Sequence, residues 1–161
     1  MTYIALDLDG TILNYNAHNT EIRTNPALLA MLPRHADVVI ISNQGGIPLW
    51  RIESPHVARR VYAACQFLEN GGYSVLWSYF SVYHPNATGK QAEYAGKNLR
   101  RALEKVFEAS FWSIFTTARS RKPEPYMLKM TQIEAYYGDS PEDKQAAEAA
   151  GIPFVRVKRF G

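Results

Sequence analysis

Cysteine is nearly absent from this 161-residue chain, where Cys65 stands alone. A lone thiol excludes an intramolecular disulfide framework and a thiolate-rich structural zinc site, and it fits a reducing compartment. Long apolar runs are missing as well. No stretch approaches the roughly 18 residues a membrane-crossing helix needs. No basic segment followed by an apolar one opens the chain. Neither a membrane span nor a secretory leader is therefore predicted, and the expected location is cytoplasmic. Charge of one sign is not dominant either. A formal net charge of +3 mildly favours anionic partners without indicating nucleic acid by itself. Internal repeats, low-complexity tracts and linker-like segments are absent too. What is present is ordinary for a globule: 47% hydrophobic and 20% charged residues. The length suffices to bury a core, and the reading is one domain over residues 1–161.

Apolar strand-like runs lie at 3–8, 37–41, 73–82, 135–137 and 153–157. Helical patterns fall between them. Asn25-Pro26 reads as a cap followed by a proline at the first helical position. Ser54-Pro55 opens a longer helix with Val57, Val61, Cys65 and Leu68 on one face and Gly71-Gly72 as its stop. Further helices are predicted at 93–107, 125–134 and 141–150. Trp77, Tyr79 and Phe80 are core candidates on a strand. Strands alternating with helices predict an α/β fold, a Rossmann-like parallel sheet with helices on both faces. Right-handed crossovers then bring the strand C-termini to one edge, where ligands bind in open α/β sheets.

The residues at that edge carry the chemistry. Asp7-Leu8-Asp9-Gly10-Thr11 follows the first strand. A strand delivers its two carboxylates to one face, and Gly10 permits a sharp exit. Close carboxylates repel unless a cation joins them, and their hard oxygens suit Mg²⁺. A carboxylate is also a nucleophile toward phosphorus. Ser42-Asn43-Gln44-Gly45-Gly46 ends the second strand. Arg121-Lys122-Pro123 places a lysine just before a proline-initiated helix. Gly138-Asp139-Ser140-Pro141-Glu142-Asp143 ends another strand with two carboxylates four residues apart. Each stretch has a plain structural reading: an Asp-Gly turn, a strand-end hydroxyl, a solvated lysine, a pair of helix caps.

In this order the four stretches resemble the motifs of the haloacid dehalogenase (HAD) superfamily of phosphatases. The finer pattern resembles the subgroup holding polynucleotide kinase-phosphatase, histidinol phosphatase and heptose-bisphosphate phosphatase domains. Some members carry zinc on a cysteine-rich loop before the lysine motif. The corresponding loop here, Tyr83-His84-Pro85-Asn86-Ala87-Thr88-Gly89-Lys90, has no cysteine. The resemblance implies Asp7 as nucleophile and Asp9 as general acid and base. It implies Ser42, the amide of Asn43 and Lys122 on the phosphoryl group, with Lys122 also neutralising Asp7. It further implies Mg²⁺ on Asp7, the Asp9 backbone carbonyl and Asp139, with Asp143 a ligand directly or through water. Thr11 is placed either to orient Asp7 or to stabilise the turn.

The implied activity is a Mg²⁺-dependent phosphomonoesterase working through an aspartyl-phosphate. No interval between motifs is long enough for a full α/β cap, so the site is expected to be open, with a minimal cap or none. An open site admits a nucleic-acid end, which makes a polynucleotide 3′-phosphatase the leading specific reading. A small-molecule phosphatase acting on a sugar or nucleotide phosphate is the alternative. Arg119 and Arg121, with Lys90, Lys97, Arg100 and Arg101 upstream, are candidates for a phosphate backbone or for a solvated face. Trp50 is a candidate to stack on a base or to pack on the rim. His56 and His84 lack sequence-evident triad partners. An alternative of another class is a non-catalytic binding module on the same fold. Such a module would be expected to lack Asp7, Asp9 or Lys122, and all are present. Nothing in the sequence sets an oligomeric state.

Overall fold

The structure, a computed structural model, describes residues 3–15 and 21–161. Residues 16–20, in the first of the intervals read as too short for a cap, lie outside the described residues. The elements run β1 (Tyr3–Leu6), α1 (Pro26–Leu29), β2 (Asp37–Asn43), α2 (Ser54–Asn70), β3 (Ser74–Ser81), α3 (Gly89–Val106), β4 (Trp112–Phe115), β5 (Ala135–Gly138), α4 (Pro141–Ala150) and β6 (Phe154–Arg156). All six strands join one sheet in the order β4-β3-β2-β1-β5-β6. Each neighbouring pair is parallel. The α/β sheet fold expected from the sequence is the one observed.

Strand alternation sorts the core into two layers. Ile4, Leu6, Ile40 and Phe80 point to one face, where they meet Val57, Val61 and Leu68 of α2 and Leu99 and Leu103 of α3. Ala5, Val39, Ile41, Tyr79 and Tyr136 point to the other, against Ala146 and Ala147 of α4. Each fully buried Val or Leu stabilises the fold by about 1.5–3 kcal/mol relative to exposure. These stripes explain why α2 and α3 lie on one side and α4 on the other.

Two elements differ from the sequence reading. The helix predicted over 125–134 is a single 3₁₀ turn at Met127–Lys129. Met127 and Leu128 anchor it in the core, and by Glu134 the chain is already extended, its N–H donating to the Tyr3 carbonyl (2.9 Å). The second difference is β4, which the strand pattern missed. It is a four-residue edge strand with only Trp112 buried, and Ser113 interrupts its short apolar run. Asn25 also departs from its expected role. It occupies the N-cap position without a capping bond, and its amide donates to the Thr11 carbonyl (3.0 Å). Thr88 and Gln91 close a capping box on α3 instead.

Cys65 lies inside the α2 stripe at 5% exposure. Burial, with a smaller push from Glu69, raises its thiol to about 12. An unfolded thiol titrates near about 8.5. The native state therefore holds a proton that the unfolded state releases between these values, and stability should fall as pH rises through that window. At pH 8 a thiol reagent should label the unfolded protein rapidly and the native protein only at the rate of unfolding. Stoichiometric labelling of native protein within seconds would contradict this burial.

Candidate active site

Asp7 is the first residue beyond β1, and its N–H donates to the Tyr137 carbonyl of β5 (2.9 Å). Asp139 is the first residue beyond β5. Because β1 and β5 are parallel neighbours, both carboxylates emerge at the same edge. Gly10 turns the chain away with φ +85°, and a Cβ there would collide with the Asp139 carboxylate. The turn thus needs glycine twice over, for conformation and for close approach. Thr11 Oγ1 lies 3.3 Å from Asp7 Oδ2 and 3.3 Å from Asp139 Oδ1. One hydroxyl proton serves only one of these oxygens at a time.

Lys122 arrives on the loop before the 3₁₀ turn and is 3% exposed. Its Nζ donates to Asp7 Oδ1 (2.9 Å), Asp143 Oδ1 (2.6 Å) and the Ile41 carbonyl (3.1 Å), and lies 2.6 Å from the Tyr136 hydroxyl. The tyrosine hydroxyl in turn donates to Asp143 Oδ1 (2.7 Å). Asp143 sits at the third position of α4, and its Oδ2 completes a capping box with Ser140. It therefore serves as helix cap and as lysine partner together. Gly138, opposite it, has no Cβ to block this approach.

Burial opposes the charge on Lys122, but Asp143 and Asp7 outweigh it and raise the ammonium above its usual value. Burial also opposes the Asp143 carboxylate. The charge and bond of Lys122, with bonds from Tyr136 and Ser140, outweigh it and hold the carboxyl below the usual range. Asp7 goes the other way. Burial pushes it well above the usual range, Lys122 pulls it back, and Asp143 and Asp139 push it up again. Asp7, Asp139 and Asp143 each bring an oxygen within 4.8 Å of the others. Three hard oxygens with one carboxylate short of positive charge fit a divalent cation of the Mg²⁺ type.

Asp9 stands apart from this trio, with both oxygens engaged. Arg60 reaches Oδ1 through Nε (3.1 Å) and Nη2 (2.7 Å), and Gln44 donates to Oδ2 (2.9 Å). Arg60 is 1% exposed and also donates to the Asn14 carbonyl (2.6 Å). Ser42 is buried, and its Oγ accepts from Gln44 (2.9 Å). The Asn43 carboxamide clamps the backbone of Lys122 at both its N–H (3.0 Å) and its carbonyl (3.1 Å). That side chain is committed to joining the second and third motifs. Arg159, past β6, donates to Asp139 Oδ2 (2.7 Å).

A cleft of about 810 Å³ opens over these groups, bordered by Asn43, Arg51, His84, Arg121, Arg159 and the carboxylates. Arg121 is fixed by a bond to the Tyr83 carbonyl (3.0 Å). Arg119 is not on the cleft wall; it is exposed and stacks on Tyr126 at 4.6 Å. Four participants were not singled out from sequence. Gln44 and Tyr136 read as loop and strand residues, and Arg159 has no local signal. Arg60 did have one: an arginine between Val57 and Ala64 on an apolar helical stripe must find a buried partner.

No family model and no curated protein matches the chain. Solved structures do. One is the D,D-heptose 1,7-bisphosphate phosphatase of B. bronchiseptica, complexed with magnesium and phosphate. It aligns with TM-score 0.65 and 19% identity over 96% of this chain and 79% of that one. A protein assigned as a HAD-like phosphatase from Mesorhizobium loti aligns with TM-score 0.63 and 21% identity, over 94% and 69%. The chain has the HAD-like fold. Within that fold, the motif residues read from sequence occupy one strand-terminal edge.

The HAD-like edge stands on a buried ion cluster, which makes Lys122 a stability determinant. Lys122→Ala leaves Asp7 and Asp143 buried without their cation and should cost about 3–5 kcal/mol in denaturant unfolding at pH 7. The pH signature follows from Asp143. Its depressed folded value gives stability that is complete above the unfolded value of about 3.9 and is lost as pH falls through the folded one. Lys122→Ala should weaken that acid limb. A loss under about 1 kcal/mol, the range of an exposed pair, would show that the cluster is not buried in solution.

Proposed function

We propose that the protein is a Mg²⁺-dependent phosphomonoesterase that works through a phosphoryl group on Asp7. The observation that carries this is the Asp7 carboxylate at a strand end, with a buried ammonium on one oxygen and the Asp139 carboxylate sharing Thr11 with the other. The metal in the B. bronchiseptica structure supports magnesium as the cation. Asp7, Asp139 and Asp143, with the Asp9 carbonyl, would hold it. When bound, the metal supplies charge stabilisation to phosphoryl oxygens and offsets repulsion between Asp7 and the incoming anion.

Asp7 attacks phosphorus, the bond from phosphorus to the leaving oxygen breaks, and Asp9, carrying a proton taken from solvent on an oxygen released by Arg60 or Gln44, gives that proton to the leaving oxygen. Asp9 then takes a proton from water, which attacks phosphorus and releases phosphate and free Asp7. Lys122 holds Asp7 in line and offsets charge on the phosphoryl group; positioning and charge carry most of such a transfer. One of the bonds from Arg60 and Gln44 must open for Asp9 to reach a leaving oxygen. Ser42, whose Oγ accepts from Gln44 (2.9 Å), would hold a phosphoryl oxygen together with the Asn43 amide.

For the substrate we favour a polynucleotide 3′ end. No inserted domain separates the strands among the described residues, and Arg51, Arg121 and Arg159 border the cleft beyond the reacting groups. A compact sugar phosphate is the second reading, favoured by the named activity of the B. bronchiseptica neighbour. A panel of 3′- and 5′-phosphorylated oligonucleotides, sugar phosphates and an aryl phosphate decides between them. Asp7→Asn should lower turnover of the best substrate by at least about a thousandfold while the fold persists, since the covalent route is gone. Chelator-treated wild type should be nearly inactive and regain activity with Mg²⁺. Asp7→Asn retaining a few per cent of activity, or full activity in chelator, sinks the proposal. Faster turnover of a sugar phosphate than of any oligonucleotide end moves the substrate to the second reading.

A further inference from the structure

A second groove lies beside the active cleft, on the other side of the loop that follows β2. Its volume is about 860 Å³. Two aromatic side chains stand open in it: Trp50, 71% exposed, and Tyr94 of α3, 53% exposed. Their rings are 5.9 Å apart and tilted by 52°. Trp50 holds φ at +60°, a rare conformation for a bulky residue. The loop places the indole at the surface although its own packing gives little in return. The floor beneath is apolar, with Ile47 buried and Ile52 partly so.

The rim is cationic. Arg59 comes from α2, and Arg101 and Lys105 come from α3, against one carboxylate, Glu53. Arg101 and Lys105 stand one helical turn apart, about 6 Å along the axis. The loop also joins the two sites: Arg51 borders the active cleft, Trp50 borders the groove, and Ile52 borders both. A chain held by its terminal phosphate in the cleft can continue over Ile52 into the groove.

We infer that this groove binds single-stranded nucleic acid, with bases stacked on Trp50 and Tyr94 and phosphates at Arg101 and Lys105. Charge selects a polyanion, and two exposed aromatic faces select one that carries rings rather than carboxylates; this pairing of stacking platforms with a basic track is how strands are held without sequence readout. The inference rests on the proposed phosphomonoesterase only in saying which end of the strand enters the cleft.

The test uses full-length protein and an oligothymidylate ending in a 3′-hydroxyl, which cannot be hydrolysed, so binding is read apart from turnover. The strand should quench tryptophan fluorescence, and Trp50→Ala should abolish most of that quench. Trp50→Ala should raise Kd by about five- to a hundredfold, the range for one base stack, while Trp50→Tyr keeps most of the affinity. Arg101→Ala with Lys105→Ala should make the plot of log Kd against log salt shallower by about 1.4, at about 0.7 per released counterion. These residues lie outside the reacting groups, so aryl phosphate hydrolysis should be unchanged in every variant. Unchanged Kd in Trp50→Ala overturns the inference. So does equal quenching by poly-glutamate, which would mark a protein partner, or a change of mass in light scattering on Trp50→Ala, which would mark a contact between copies. Aryl phosphate hydrolysis without strand binding removes the groove alone. Strand binding without any phosphatase activity removes the enzyme reading alone.

Discussion

The buried ammonium of Lys122 is the interaction on which the rest of this edge depends. An isolated charge at this depth would cost far more than a domain's net stability. It persists because Asp7, Asp143, Tyr136 and the Ile41 carbonyl surround it. These partners come from the end of β1, the start of α4, β5 and β2. Satisfying one cation therefore fixes where four elements meet. The Asn43 clamp on the Lys122 backbone fixes the loop that delivers it.

A second ion pair, Arg60 with Asp9, ties α2 to the same edge from the opposite face of the sheet. The two pairs divide the carboxylates into distinct environments. Asp7 shares a lysine with Asp143 and crowds Asp139, while Asp9 is held by Arg60 and Gln44, away from the other carboxylates. Two carboxylates two residues apart are thereby given different surroundings. Arg159, past the last strand, adds a further charge at Asp139 from outside.

Much of this was legible in the sequence, for reasons that can be named. The strands β1, β2 and β5 announce themselves because they are buried on both faces and read as continuous apolar runs. The motif residues follow their C-terminal ends, so fold and site were read together. β4 was not legible, because a four-residue strand interrupted by Ser113 gives too short an apolar run. The 125–134 segment misled because prolines and apolar residues at helical spacing fit a helix and a 3₁₀ turn alike. Arg60, Tyr136 and Arg159 stayed hidden because their partners are remote in sequence. Of these, Arg60 was discoverable from its place on an apolar stripe. Asn43 adds a second task that its motif did not announce: its side chain holds the neighbouring loop.

The central claim is that Asp7 itself takes the phosphoryl group. The direct measurement is rapid acid quench of the Mg²⁺-loaded protein during turnover of a fast phosphate ester, followed by peptide mass spectrometry. The account predicts a phosphoryl group on the peptide containing Asp7, removed by hydroxylamine as an acyl phosphate is. Burst formation of product with no phosphorylated peptide, or phosphate on any other residue, would contradict it.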